Sequence, residues 1–103
     1  MADAYYVYMM SSNTRVLYIG FTSNLPERVR QHKIGYFPGF CQKYNCHRLV
    51  YYELHDDAES GISREKQLKS MSRRKKVYLL EEKNPLWLDL SEYEEWLRTD
   101  NEE

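Results

Sequence analysis

Two apolar segments of strand length, split by five polar residues, constrain this chain most. Tyr5 to Met10 and Val16 to Phe21 are rich in aromatic and β-branched side chains, which suit a pleated, half-buried surface. Ser11-Ser12-Asn13-Thr14-Arg15 between them is turn-like, so the pair reads as an antiparallel hairpin. Strand period places Tyr6 and Tyr8 on one face and Val7 on the other, and puts Tyr18 on the face of Val16 and Gly20. Having no side chain, Gly20 leaves room beside Tyr18 or lets backbone approach a ligand.

Helix signals follow. Asn24-Leu25-Pro26-Glu27 combines an N-cap, a proline tolerated in the first turn and an acid three residues on. That helix is expected to run to about Ile34 and stop at Gly35. Arg28 and His32 are four residues apart and share one of its faces. Residues 35–47 read as a loop holding Tyr36, Phe37, Phe40 and Tyr44. Arg48 to His55 is a third strand, and Asp56-Asp57-Ala58-Glu59 opens a second helix. Ser72 caps a third, which runs to about Lys83 and ends at Asn84-Pro85. Leu86, Trp87, Leu88 and Leu90 are expected to pack back on the domain. Ser91-Glu92-Tyr93-Glu94 resembles a capping box for a short last helix, with Tyr93, Trp96 and Leu97 facing inward. The fold class is therefore α/β: a small three-stranded antiparallel sheet flanked by helices, in the order β-β-α-β-α-α.

One residue breaks the pattern of the second helix. Its apolar stripe is Ala58, Ile62 and Leu68, and Glu65 falls on it. A carboxylate there costs free energy unless it is paired or bound to a metal. A salt bridge to a neighbouring Lys or Arg and a role as metal ligand are both consistent with the spacing.

A chain of 103 residues forms one domain with one modest core, here a core over about 5–83 with a packing segment and acidic tail over 84–103. No apolar run approaches the roughly 18 residues of a membrane helix. The start, Met1-Ala2-Asp3-Ala4, lacks the basic and apolar regions of an export signal, so a cytoplasmic protein is expected. Cys41 and Cys46, separated by four residues and followed by His47, invite a zinc reading, but a fourth ligand is missing nearby. Packing or a loop thiol is the alternative. The net charge is −1, which taken alone speaks against a nucleic-acid binder. Its distribution speaks otherwise. Residues 1–76 hold 13 Lys/Arg against 7 Asp/Glu, a net of +6, and residues 77–103 hold 2 against 9, a net of −7. A near-neutral total can hide a positive face.

Tyr6-Val7-Tyr8 and Leu17-Tyr18-Ile19-Gly20 resemble the two motifs that name the GIY-YIG nuclease family. Glu27-Arg28-Val29-Arg30-Gln31-His32 is similar to its Arg-x3-His helix, and Arg64-Glu65-Lys66-Gln67-Leu68-Lys69 to the helix carrying its metal-binding glutamate. The resemblance spans about residues 5–83. It is nearest to the small stand-alone bacterial members and is visible, more distantly, in the nuclease domain of the bacterial excision-repair incision enzyme. It implies a metal-dependent endonuclease acting in DNA repair or processing. Glu65 would hold one Mg²⁺ or Mn²⁺, a hard cation that prefers oxygen and keeps waters. Arg28 would stabilise charge on the phosphate, Tyr18 would take the proton of the attacking water, and Tyr8 would orient that water or the phosphate. His32, with an ordinary pKa near neutrality, could relay a proton or bind phosphate. Some relatives carry a lysine after the second glycine. This chain has Phe21 there, so Tyr18 would need another activator, His32 or the metal.

Arg30, Lys33, Lys43, Arg48, Lys66, Lys69, Arg73, Arg74, Lys75 and Lys76 could track a nucleic-acid backbone. The loop aromatics could stack on unpaired bases or close the core. No helix clearly reads a major groove, so single-stranded or structured DNA is the expected partner. The rival readings are a catalytically weak nucleic-acid-binding module of the same fold and a protein adaptor working through the acidic tail.

Overall fold

The computed structural model describes residues 4–35 and 43–98. Its centre is a three-stranded antiparallel sheet of β1 (Tyr5–Ser11), β2 (Leu17–Thr22) and β3 (Arg48–His55), with β1 in the middle. Burial explains that order. From Val7 onward β1 is buried on both faces, as the aromatic and aliphatic run requires. The hairpin turn is closed by Ser12, whose Oγ accepts from the backbone of Thr14 at 3.2 Å and of Val16 at 3.0 Å. Arg15 ends the turn at φ 68°, a left-handed conformation uncommon for a residue with a Cβ.

Register separates the two faces. Tyr8 stands opposite Gly20 on β2 and Tyr52 on β3. Between Met9 and Met10 the β3 register slips: Met9 faces Tyr51 and Met10 faces Leu49. Val50 is therefore the extra residue of a β-bulge, and Val50 and Tyr51 both enter the core with Val7 and Met9. A regular strand would have sent one of them to each face.

One helix covers the face of Tyr8 and Met10. This is α1 (Leu25–Lys33), which packs through Leu25 and Val29. Asn24 caps it, accepting from the Glu27 backbone at 3.3 Å, and Gly35 follows its end at φ 73°, the usual left-handed stop. The opposite face of Val7, Met9 and Ile19 receives α2 (Ala58–Ser70) through Leu68 and α3 (Arg73–Lys83) through Leu80. Asp57 and Ser72 cap these two helices. A carboxylate clamp also ties α2 to β3: Glu53 accepts from Arg64 Nε and Nη2 at 2.9 to 3.1 Å, from the Tyr51 hydroxyl and from His55.

The chain after α3 is stitched back by two polar residues. The buried Asn84 amide donates to Val50 O at 3.0 Å and Leu88 O at 2.9 Å, and accepts from the Leu88 backbone at 2.9 Å. Asp89 accepts from Lys33 Nζ at 2.6 Å and from the Leu49 backbone at 3.1 Å. Burial works against its charge, but Lys33 and the Ser91 hydroxyl outweigh that and hold its carboxyl below the usual range.

Three expectations are corrected here. The last helix is instead two single 3-10 turns, Leu90–Glu92 and Glu95–Leu97, the first capped by Asp89 and not Ser91. Of its three aromatic and aliphatic residues only Leu97 is buried, while Tyr93 and Trp96 are exposed, because turns this short present one side chain inward. In the preceding segment Trp87 is buried but Leu86 and Leu88 are exposed. On α2 the buried positions are Gly61 and Leu68, and Ile62 is exposed, because the helix approaches the sheet through its glycine.

Candidate active site

The strand period that puts Tyr8 on the α1 face also aims its ring at Gly20 across the ladder. A Cβ at position 20 would lie 2.5 Å from Tyr8 Cζ. Gly20 therefore makes room for Tyr8, not for Tyr18 or a ligand. This was the part of the site least legible in the sequence, since cross-strand register decides it. Fully buried, Tyr8 brings its hydroxyl within 2.9 Å of His32 Nε2 on α1. Tyr18 completes the group: its ring centroid is 5.1 Å from that of His32 and 6.4 Å from that of Tyr8. Tyr18 is half-buried, so this cluster opens outward on its side.

His32 is 3% exposed. Burial, with the positive charge of Arg28 behind it, pushes its pKa down to about 4. The expectation of titration near neutrality is corrected: desolvation disfavours the imidazolium, and at pH 7 the ring is neutral. It serves as a fixed hydrogen-bond partner of Tyr8. Arg28, one turn earlier on α1, is half-buried and supplies the positive charge of this neighbourhood.

Phe21 follows Gly20 and so points to the other face. It stacks on Tyr5 with centroids 5.8 Å apart and planes 5° apart. It also fills the space left by Gly61 of α2, where a Cβ would come 2.5 Å from Phe21 Cε1. In this chain that position belongs to the α2 packing layer.

Glu65 lies on α2, in the layer across the sheet from α1. Its side chain is 20% exposed and pairs with Lys69 at 3.1 Å, so the ion-pair alternative is realised here. The donor set also suits a hard divalent cation. Among the described residues no group of three or more His, Cys, Asp or Glu side chains converges, and Mg²⁺ is commonly held by one or two carboxylates with waters and substrate phosphates. The structure thus brings Tyr8, Tyr18 and His32 into contact with Arg28 nearby, and places Glu65 on a separate helix.

The basic residues divide into two classes. Arg30 is paired with Glu27 at 2.6 Å, Lys33 with Asp89 at 2.6 Å and Lys69 with Glu65. Lys43, Lys66, Arg73 and Arg74 are exposed. Of the loop aromatics, Tyr44 is exposed with Lys43 Nζ over its ring, while Tyr36, Phe37 and Phe40 lie outside the described residues. So does Cys41. Cys46 is buried, with Sγ 3.7 Å from Val16 O, which fits packing. Among the described residues no helix is long and apolar enough to cross a membrane.

A family model described as the GIY-YIG catalytic domain matches residues 4–79. The chain is 35% identical to a UPF0213 protein of Haloquadratum walsbyi over 82 residues, covering 80% of this chain and 92% of that one. It is also 35% identical to a UPF0213 protein of Natronomonas pharaonis over 80 residues, covering 78% and 94%. The solution NMR structure of a UPF0213 protein from Bacillus halodurans is similar, with a TM-score of 0.55 and 25% identity over 84% of this chain and 93% of that one.

Proposed function

The chain belongs to the GIY-YIG family, a nuclease family, and on that premise we propose that it is a divalent-metal-dependent endonuclease hydrolysing phosphodiester bonds of single-stranded or structured DNA. The observation that carries the reading is the Tyr8–His32–Tyr18 cluster, with its buried 2.9 Å hydrogen bond. That cluster links both tyrosine motifs to the Arg-x3-His helix.

The roles follow from burial. Tyr18, the half-buried member, takes the proton of the attacking water on its phenolate oxygen. Tyr8 is fully buried, so it acts on the reaction through His32 and not by touching the phosphate. The Tyr8–His32 pair forms a rigid floor that sets the Tyr18 ring. Because His32 is neutral, Arg28 is the cation of the cluster, and its planar fork suits two phosphate oxygens. Glu65 is the residue to hold Mg²⁺ or Mn²⁺, whose chemistry when bound is Lewis-acid stabilisation of the departing 3′ oxygen. Lys69 would then be released from its ion pair.

The test is cleavage of labelled single-stranded, duplex and flap DNA with Mg²⁺, Mn²⁺ or EDTA, for wild type and Glu65→Ala. Loss of the metal-holding carboxylate is expected to lower the rate on the order of 10²-fold or more. Cutting in EDTA, or equal cutting by the variant, would remove Glu65 from this role. Equal cutting of single-stranded and intact duplex DNA would sink the substrate preference.

A further inference from the structure

A second cationic feature lies at the hairpin end of β2. Thr14, Arg15, Val16 and Leu17 face Arg73 and Lys76 of α3 across a cleft of about 480 Å³. None of these lining residues is acidic. Among the described residues Arg15, Arg73 and Lys76 enter no ion pair, in contrast to Arg30, Lys33 and Lys69.

Arg15 is held in place by more than its exposure would suggest. Its backbone sits at φ 68°, its N–H donates to Ser12 O at 3.0 Å, and its guanidinium lies 4.7 Å from the Trp87 ring centroid. Trp87 is itself buried, with Nε1 donating to Glu81 at 2.6 Å. A strained backbone and a stacked fork confine this cation to the cleft, and such strain concentrates at functional positions.

Leu17 lines the cleft, and the next residue, Tyr18, faces the other side of the same edge strand. Successive residues of a strand are about 3.3 Å apart, so a backbone passing around this edge meets both places. We propose that Arg15, Arg73 and Lys76 form a seat for a phosphodiester of the nucleic-acid substrate adjoining the reacting one. The proposal rests on the nuclease reading and names which cations the substrate backbone uses.

The test measures binding of a fluorescent single-stranded oligonucleotide in EDTA against KCl concentration, and cleavage with Mg²⁺, for three proteins. They are wild type, Arg15→Gly/Lys76→Ser, and Lys83→Ser/Arg98→Ser, which loses the same charge elsewhere. Glycine accepts the φ of position 15. Each lost single-strand phosphate contact lowers the salt slope by about 0.7. The cleft variant is expected to bind about tenfold more weakly at moderate salt, with a slope reduced by about 1 and a raised KM at unchanged kcat. The charge-matched control should retain the wild-type slope. Arg73→Ser, exposed and remote from Trp87 packing, should lower the slope by itself if Arg15→Gly disturbs folding. Unchanged affinity and slope in the cleft variants of a wild type that binds and cuts would overturn this seat and leave the nuclease reading standing. An equal loss in the control would also overturn it. A wild type that neither binds nor cuts would overturn the nuclease reading and the seat with it.

Discussion

The Tyr8 hydroxyl and His32 Nε2 meet at 2.9 Å across 24 residues of sequence, inside a space that exists because position 20 has no side chain. This contact joins the central strand to α1 and excludes water from the imidazole. The charge state of His32 and the tilt of the tyrosine pair therefore share one packing cause.

Gly20→Ala should separate that pair. The new methyl would occupy the place of the Tyr8 ring, and overpacking of this kind costs about 1–3 kcal/mol. Urea unfolding should show that loss, and cleavage should fall with it. A variant as stable and active as wild type would show that the ring relocates freely.

His32 should make stability fall in mild acid. The unfolded chain takes up the imidazole proton near pH 6.5, whereas the folded protein resists until about pH 4. Between these values the unfolded state binds more protons, so the His32 contribution is complete above about pH 6.5 and is lost as pH falls through about 4. The difference is worth about 2–3 kcal/mol at pH 4.5 relative to pH 7. Urea unfolding at both pH values should show wild type losing that much more than His32→Gln. Equal losses would contradict the burial argument.

Gly61→Ala should destabilise although alanine favours helix by about 1 kcal/mol. The added methyl meets the Phe21 ring, which Tyr5 stacks against, and α2 must lift from the sheet. A net loss of about 1 kcal/mol is expected from these opposing effects. Phe21→Leu in the same chain should recover part of it, and additive losses would count against a direct contact.

Asn84→Ala should detach the segment after α3. Its amide makes three hydrogen bonds, to Val50 O and to both backbone groups of Leu88, and stranding buried partners costs about 1–3 kcal/mol each group at most. A lowered Tm should accompany faster amide exchange at Leu88. Unchanged exchange there would mean that Asp89 alone holds the segment.

The sequence by itself determined the elements and their order. The caps Asn24, Asp57 and Ser72 each act on a backbone N–H three residues away, the Arg28–His32 spacing is a property of one helix turn, and strand period sorts Tyr8 from Val7. Such signals reach only a few residues along the chain, so they can be read in order. The tertiary structure alone decided what depends on residues distant in sequence. The slip at Val50 follows from pairing with β1, and the two final turns follow from docking through Asp89 and Leu97. The same holds for the contact of Arg15 with Trp87 and for the neutrality of His32. Desolvation is set by everything packed around a group, and no local pattern records it.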